Sequence, residues 1–373
     1  MGATMTIETY WPDAATRAEF ARRAEETGRA NPSFWNGLPT LPTRPIDGHK
    51  GTFGTALCVG GSRGMSGAIS LTGSAALVAG AGLTRLFVPE PILETVAGFA
   101  REYTTIPGAC DASGRLTSAA SEAILAEAAN ATALAVGPGF GRSAEATRLV
   151  VELFFELERP AVFDADALNA LAEAGVFDET TEKSEKNDAI SGRFAGRKPR
   201  GARILTPHPG EFARLTGAKP ASDRAARIDA TTAFAKRLER LFGGERDGKT
   251  QVKRENALSE GASGGDSAFV VALKGAGTVV ADGGGAFFVN ETGNPNHATG
   301  GSGDVLTGVV VGLLAQGATP LDATRAGGAL CGLAADLRAT RCSRGAVASD
   351  VIRFLPVAFD FYEAAQAAAR RSF

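Results

Sequence analysis

The chain has 373 residues, 44% apolar and 21% charged, which allows a large buried core and is ordinary for a soluble globular protein. Its 39 basic and 41 acidic residues nearly cancel to a formal charge of −2, which argues against a nucleic-acid groove built on general basicity. Cys58, Cys110, Cys331 and Cys342 are scattered without a CxxC pair, which disfavours a disulfide frame or a zinc site. Residues 1–29 contain no apolar signal-peptide core and no apolar run reaches membrane-spanning length, so the expected compartment is the cytoplasm.

Residues 1–44 are expected to form an arm or linker: a short polar helix over 14–27, then a stretch punctuated by Pro32, Pro39 and Pro42. From residue 45 to 373 a single domain is expected. Strands predicted over 55–59, 83–88, 133–136, 161–163, 203–205 and 269–273 alternate with helical patterns over 66–81, 117–130, 144–157, 167–174 and 225–241. A hairpin is predicted from 278–281 and 286–289 around the turn at Gly283, Gly284 and Gly285, and helix from 305 through 337 and again near the C-terminus. This rhythm predicts an α/β fold with a mostly parallel central sheet and helices on both faces. Two polar stretches, 178–202 and 243–266, interrupt it and are expected to be surface insertions; the basic run at Arg193, Arg197, Lys198 and Arg200 is expected to be a solvated loop.

Ligands bind at the carboxyl ends of the strands in such sheets, so loops following successive parallel strands should converge on one side. Gly60-Gly61-Ser62-Arg63-Gly64 lacks the Lys-Ser/Thr pair of a Walker A loop, and Gly137-Pro138-Gly139-Phe140-Gly141 spells GxGxG instead of the dinucleotide GxGxxG. Each also reads as a plain strand-to-helix turn. Asp164 and Asp166 end a strand, with Asp166 expected as a helix N-cap and Asp164 as the carboxylate facing the crevice. His208 and Glu211 follow the next strand, where Pro209 and Glu211 also suit a helix start; Glu211 is placed to approach a magnesium–phosphate cluster through water. Lys274-Gly275-Ala276-Gly277-Thr278 offers a cation and flexible backbone suited to a nucleotide, or simply a hairpin turn. Finally, Gly300, Gly301 and Gly303 lead through Asp304 into a helical pattern, where unpaired N–H groups favour an anion. A carboxylate repels phosphate, so Asp304 among these glycines suggests a group that handles a proton or a metal-bound oxygen; taken alone, the stretch reads equally well as a glycine-rich turn with an acidic residue in the first turn of a helix.

The ordered set resembles one family. It comprises His49-Lys-Gly-Thr-Phe-Gly54, Val59-Gly-Gly-Ser62, Ser66-Gly-Ala68, Val136-Gly-Pro-Gly-Phe-Gly141, Asp164-Ala-Asp-Ala-Leu-Asn169, Thr206-Pro-His-Pro-Gly-Glu211, Lys274-Gly275, and Asn294-Pro295 with Ala298-Thr-Gly-Gly-Ser-Gly-Asp304-Val-Leu-Thr-Gly308. Together these are similar to the ADP/ATP-dependent NAD(P)H-hydrate dehydratases, a branch of the ribokinase-like superfamily. The resemblance implies a three-layer ribokinase-like fold and a metabolite-repair lyase, with Mg2+ as cofactor and ADP or ATP as co-substrate. Its substrate would be the S form of NADH or NADPH hydrated at C6 of the nicotinamide ring. By position in the motifs, Ala68, Gly139, His208 and Asp304 would contact substrate, Lys274, Gly275, Ala276, Gly277, Thr278 and Gly303 would contact nucleotide, Asp304 would be catalytic, and no residue would ligate metal directly. Too few residues precede the first motif for the epimerase domain that many relatives carry, so a separate epimerase is the expected pathway partner, alongside a homo-oligomeric state and no nucleic-acid or membrane partner. Relatives have Gly-Met where this chain has Asn296-His297.

In the mechanism so implied, Asp304 accepts the C6 hydroxyl proton as that oxygen attacks the terminal phosphoryl group, N–H groups of 301–303 stabilise the phosphoryl charge, and phosphate then leaves. A vitamin-precursor or sugar kinase of the same superfamily is the alternative; a nucleotide sensor and an oxidoreductase fit less well.

Overall fold

The computed structural model describes residues 32–178, 194, 196–243, 267–341 and 344–371. A nine-stranded sheet runs through it in the order β3-β2-β1-β4-β5-β6-β7-β8-β9. Its strands are β1 (Thr55–Val59), β2 (Leu83–Pro89), β3 (Thr104–Gly108), β4 (Ala133–Val136), β5 (Ala161–Phe163), β6 (Arg203–Leu205), β7 (Phe269–Leu273), β8 (Val279–Asp282) and β9 (Phe287–Val289). Pairing is parallel from β3 through β7, and β8 and β9 are antiparallel additions at one edge. The order reverses between β1 and β4, the position at which an open α/β sheet forms a crevice.

Two layers cover the sheet, and strand alternation assigns residues to them. Ala56 and Cys58 of β1, with Ala133 and Ala135 of β4, face α2 (Ser66–Val78), α9 (Ser302–Ala315), α10 (Pro320–Ala339) and α11 (Ala348–Arg371). Leu57 and Val59, with Leu134 and Val136, face α4 (Ser121–Ala129), α5 (Ala144–Glu156), α6 (Asp166–Glu173), α7 (Pro209–Thr216) and α8 (Arg224–Leu238). These strands are apolar on both faces, as parallel strands covered on both sides require. The three-layer architecture is the one expected.

Three local readings change. β3 escapes the sequence pattern because Pro107 lies within it, yet it is an edge strand where a missing N–H costs no ladder bond. The expected continuous helix from 305 through 337 is broken: Gly317 turns at φ 93°, and Thr319 caps α10 from outside Pro320. The helix expected from 225 through 241 is present, α-helical to Leu238 and π-helical from Glu239 to Gly243. Residues 32–44, expected within an arm or linker, pack firmly: Phe34, Trp35, Leu38 and Leu41 are buried, Tyr362 donates to Pro39 O at 2.7 Å, and Gln366 donates to Leu38 O at 2.7 Å. Their apolar spacing is too short to stand out beside the prolines. The expected polar helix over 14–27 and most of both polar insertions lie outside the described residues.

Candidate active site

At the switch point the first two loops lock together. Gly61 N–H donates to Pro138 O at 2.8 Å, and Ser62 Oγ donates to Gly139 O at 2.8 Å. Gly139 adopts φ 63°, and a side chain there would lie 2.6 Å from Met65 O and 3.0 Å from Ala68 Cβ. Glycine is therefore required on both conformational and steric grounds. The contact places Gly139 against Ala68 in the first turn of α2.

Helix α2 also meets α9. A side chain at Gly308 would overlap Thr72 O, and one at Gly312 would lie 2.6 Å from Ala76 O, so these glycines let the helices approach closely. Thr72 Oγ1 lies 3.1 Å from both Ala68 O and Asp304 O, tying the first turns of the two helices to each other. Ala68, Gly139 and Asp304 thus share one end of the crevice.

The carboxylate pair after β5 takes up a strained turn. Ala165, at φ 53° and ψ −123°, is the only non-glycine residue with positive φ among those described. Asp166, expected to cap its helix, does not: Ala165 holds the N-cap position, and Asp166 Oδ2 instead accepts from Gly141 N–H at 2.9 Å. Asp164 is buried and accepts from Lys274 Nζ at 2.5 Å and from Thr307 Oγ1 at 2.8 Å. It keeps its charge below the usual carboxylate range; burial opposes ionisation, but the Lys274 ammonium and the Thr307 hydroxyl outweigh it.

Beyond Lys274 the arc continues into α7. Glu211 Oε2 lies 4.0 Å from Lys274 Nζ and accepts His208 N–H at 2.8 Å. His208 is itself the N-cap: its Nδ1 accepts from Gly210 N–H at 2.9 Å and Glu211 N–H at 3.3 Å, completing a capping box. With Nδ1 an acceptor the imidazole is neutral, and burial and the Lys274 charge hold its pKa below the ordinary value. The other ring nitrogen lies 3.4 Å from Glu211 Oε1, and half the side chain faces solvent. The helix-start reading of this motif is correct, and the ring is still available to a ligand.

Gly303 closes the arc, since a side chain there would lie 3.1 Å from Lys274 Nζ and 3.5 Å from Asp164 Oδ2. Asp304 follows at the third position of α9. Its carboxylate accepts no hydrogen bond among the described residues. Burial, chiefly, and the neighbouring Asp164 charge push its pKa up to about 7, with Lys274 opposing. Gly301, at φ 90°, turns the chain into the helix. Ser302 N–H is spent on Thr299 O, whereas the N–H groups of Gly301 and Gly303 find no acceptor among the described residues. The Asn296-His297 departure forms a short 3-10 turn capped by Asn294, anchored where Asp336 of α10 accepts from Gly293 N–H and Asn294 Nδ2, both at 2.8 Å.

Contacts thus link Ala68 with Gly139, Ala68 with Asp304 through Thr72, and Gly303, Lys274 and His208 through Asp164 and Glu211. The loop from Lys274 through Thr278 is also the turn of the β7–β8 hairpin; Gly275, Ala276 and Gly277 are exposed, and Thr278 Oγ1 donates to Gly275 O at 3.0 Å. Sequence reasoning missed Thr307 as the second partner of Asp164, since a threonine inside an apolar helix carries no local mark. Arg227 was missed because one arginine among the several charges of α8 carries no mark of burial.

The family described as NAD(P)H-hydrate dehydratase matches residues 56–356. The chain is 37% identical over 317 residues to the bifunctional NAD(P)H-hydrate repair enzyme Nnr of Moorella thermoacetica, covering 85% of this chain and 51% of that protein. It is 36% identical over 297 residues to the ADP-dependent (S)-NAD(P)H-hydrate dehydratase of Neisseria meningitidis, covering 79% and 80%. Thus the chain spans about half the length of the bifunctional relatives and most of the monofunctional one. The crystal structure of the ADP/ATP-dependent NAD(P)H-hydrate dehydratase from Bacillus subtilis, co-crystallised with ATP/Mg2+ and soaked with CoA, superposes with a TM-score of 0.62 at 25% identity, covering 89% of this chain and 97% of that one. By sequence and by fold, the chain belongs to the NAD(P)H-hydrate dehydratase family.

Proposed function

We propose that this protein uses ADP or ATP to dehydrate the S form of NADH or NADPH hydrate, returning the reduced dinucleotide. The observation that carries the reading is Asp304: a partly buried carboxylate with no donor among the described residues, its pKa pushed up to about 7, beside N–H groups at a helix start that find no acceptor among them. A group so tuned is half ionised near neutrality and suits general-base work.

The C6 hydroxyl of the hydrate gives its proton to Asp304 as its oxygen attacks the terminal phosphorus of the nucleotide, breaking the bond to the leaving AMP or ADP. The Gly301 and Gly303 N–H groups, with Lys274 nearby, offset charge on the transferred group. The ring nitrogen lone pair then expels phosphate from C6, and loss of a C5 proton restores the dihydropyridine. His208, a neutral ring held by its own helix, positions the hydrated nicotinamide portion against Ala68 and Gly139.

The donor set suits magnesium that arrives with the nucleotide. Among the described residues no three His, Cys, Asp or Glu side chains are grouped to ligate a metal, and Asp164 is committed to Lys274 and Thr307. Glu211 would meet such an ion through water, as magnesium, which gives up its waters reluctantly, permits. Bound there, it would neutralise phosphate charge. An epimerase feeding the S form would act upstream, and the reaction would serve the cytoplasmic dinucleotide pool. No helix among the described residues is long and apolar enough to cross a membrane.

The test is Asp304→Asn, which keeps shape and removes the base. Turnover on NADH hydrate should fall about two to four orders of magnitude while nucleotide binding persists. Near-wild-type turnover would overturn the assignment of the base, and accumulation of a stable phosphorylated hydrate by the wild-type protein would favour a kinase.

A further inference from the structure

Arg227, on α8, is almost fully buried beneath the loop from Lys274 to Thr278 and has no ion-pair partner among the described residues. One terminal nitrogen of its guanidinium donates to both Leu273 O at 3.1 Å and Lys274 O at 3.2 Å, and its Nε is buried without an acceptor. A side chain on Gly275 would lie 3.2 Å from that terminal nitrogen, so the guanidinium sits directly under the glycine.

The two bonds dictate which way the loop faces. In a trans peptide the C=O and the following N–H point in opposite directions. Leu273 O points to Arg227, and Lys274 N–H accordingly points away, donating to Pro207 O at 2.9 Å in the loop after β6. Lys274 O also points to Arg227, so Gly275 N–H is turned away from α8. The N–H groups of Gly275, Ala276 and Gly277 find no acceptor among the described residues, and these residues are exposed. A buried cation without a counter-ion is costly on its own. An anion seated on the outward N–H groups would offset part of that cost.

The geometry points to Arg227 as the positioning residue for nucleotide phosphate: it clamps the end of β7 so that the loop presents its N–H groups, and it lends positive potential from below. This inference rests on the nucleotide reading of the loop. Lys274, by contrast, is directed at Asp164 and Glu211, so the two cations serve different sides of the same strand end.

The test is calorimetric binding of Mg-ADP and Mg-ATP to the wild-type protein, Arg227→Met and Arg227→Lys, with steady-state kinetics on NADH hydrate. Losing hydrogen bonds from a charged donor should weaken nucleotide binding in Arg227→Met about tenfold or more, with a matching rise in nucleotide KM. The KM for hydrate and kcat at saturating nucleotide should change less than about twofold, the pattern of a lost binding interaction. Arg227→Lys, which keeps the charge and one donor, should recover most of the affinity, an outcome that general destabilisation would not give. Unchanged nucleotide affinity in Arg227→Met, or equal losses for nucleotide and hydrate, would overturn the inference. Failure of the nucleotide reading itself would show separately, as wild-type protein that binds neither nucleotide.

Discussion

Around Lys274 stand three carboxylates with two fates. Asp164 takes the ammonium directly and stays ionised, while Glu211, buried, and Asp304, partly buried, lie farther from it and are each pushed up to about 7. Burial is the largest cause for both, and Asp164 adds to it by repulsion. Because a base works only when deprotonated, kcat/KM should fall on the acid side through about pH 7 and level off above it. The two groups share their neighbours, so that limb belongs to the cluster until variants separate it. A pH profile in which Glu211→Gln keeps the limb assigns it to Asp304; a limb near the ordinary carboxylate range would contradict this electrostatic account. The Asp304 motif was legible in the sequence because it comes in order with the other strand-end loops; alone it reads equally well as a plain glycine-rich turn. Its altered pKa was not, because Asp164 lies far away in the chain and only folding brings the charges together.

Helix α9 delivers Asp304, and its placement depends on glycines that touch no ligand. Gly308 and Gly312 lie one turn apart on the face against α2, and Thr72 joins the helix starts through Ala68 O and Asp304 O. Gly308→Ala should therefore push the helices apart, costing about 1–3 kcal/mol as overpacking of a close contact does, and should lower kcat by displacing the base. Thermal unfolding and turnover measured on the same preparation check it; unchanged values for both would show that the contact is slack. Strands and loops with strong apolar or glycine signals were readable at this scale. The strand containing Pro107 and the helix break at Gly317 were not, since edge position and cap geometry are tertiary facts. Asp166 shows the same limit: its spacing suits an N-cap, but the strained turn at Ala165 redirects it to Gly141 N–H.

Across the molecule, parallel order from β3 to β7 sends the loops that follow β1, β4, β5, β6 and β7 to one end of the sheet, and the reversal between β1 and β4 opens the crevice there; the His49–Gly54 motif enters β1 from the opposite end, against Ala315. That convergence follows from the β/α rhythm alone, which is why the fold and the location of the site could be read early. The clamp of residues 32–44 against α11 could not, because its partners are separated by most of the chain: Trp35 packs edge-on to Tyr362, and Arg370 donates to Thr40 Oγ1 at 2.8 Å. What the assembled crevice does is tested most directly by incubating the protein with NADH hydrate and magnesium, with ADP, with ATP, or with no nucleotide, while following the reduced-nicotinamide absorbance. The account predicts recovery of that absorbance only when a nucleotide is present, with free phosphate released in equal amount. Recovery without nucleotide, or nucleotide consumption with no return of NADH, would contradict it.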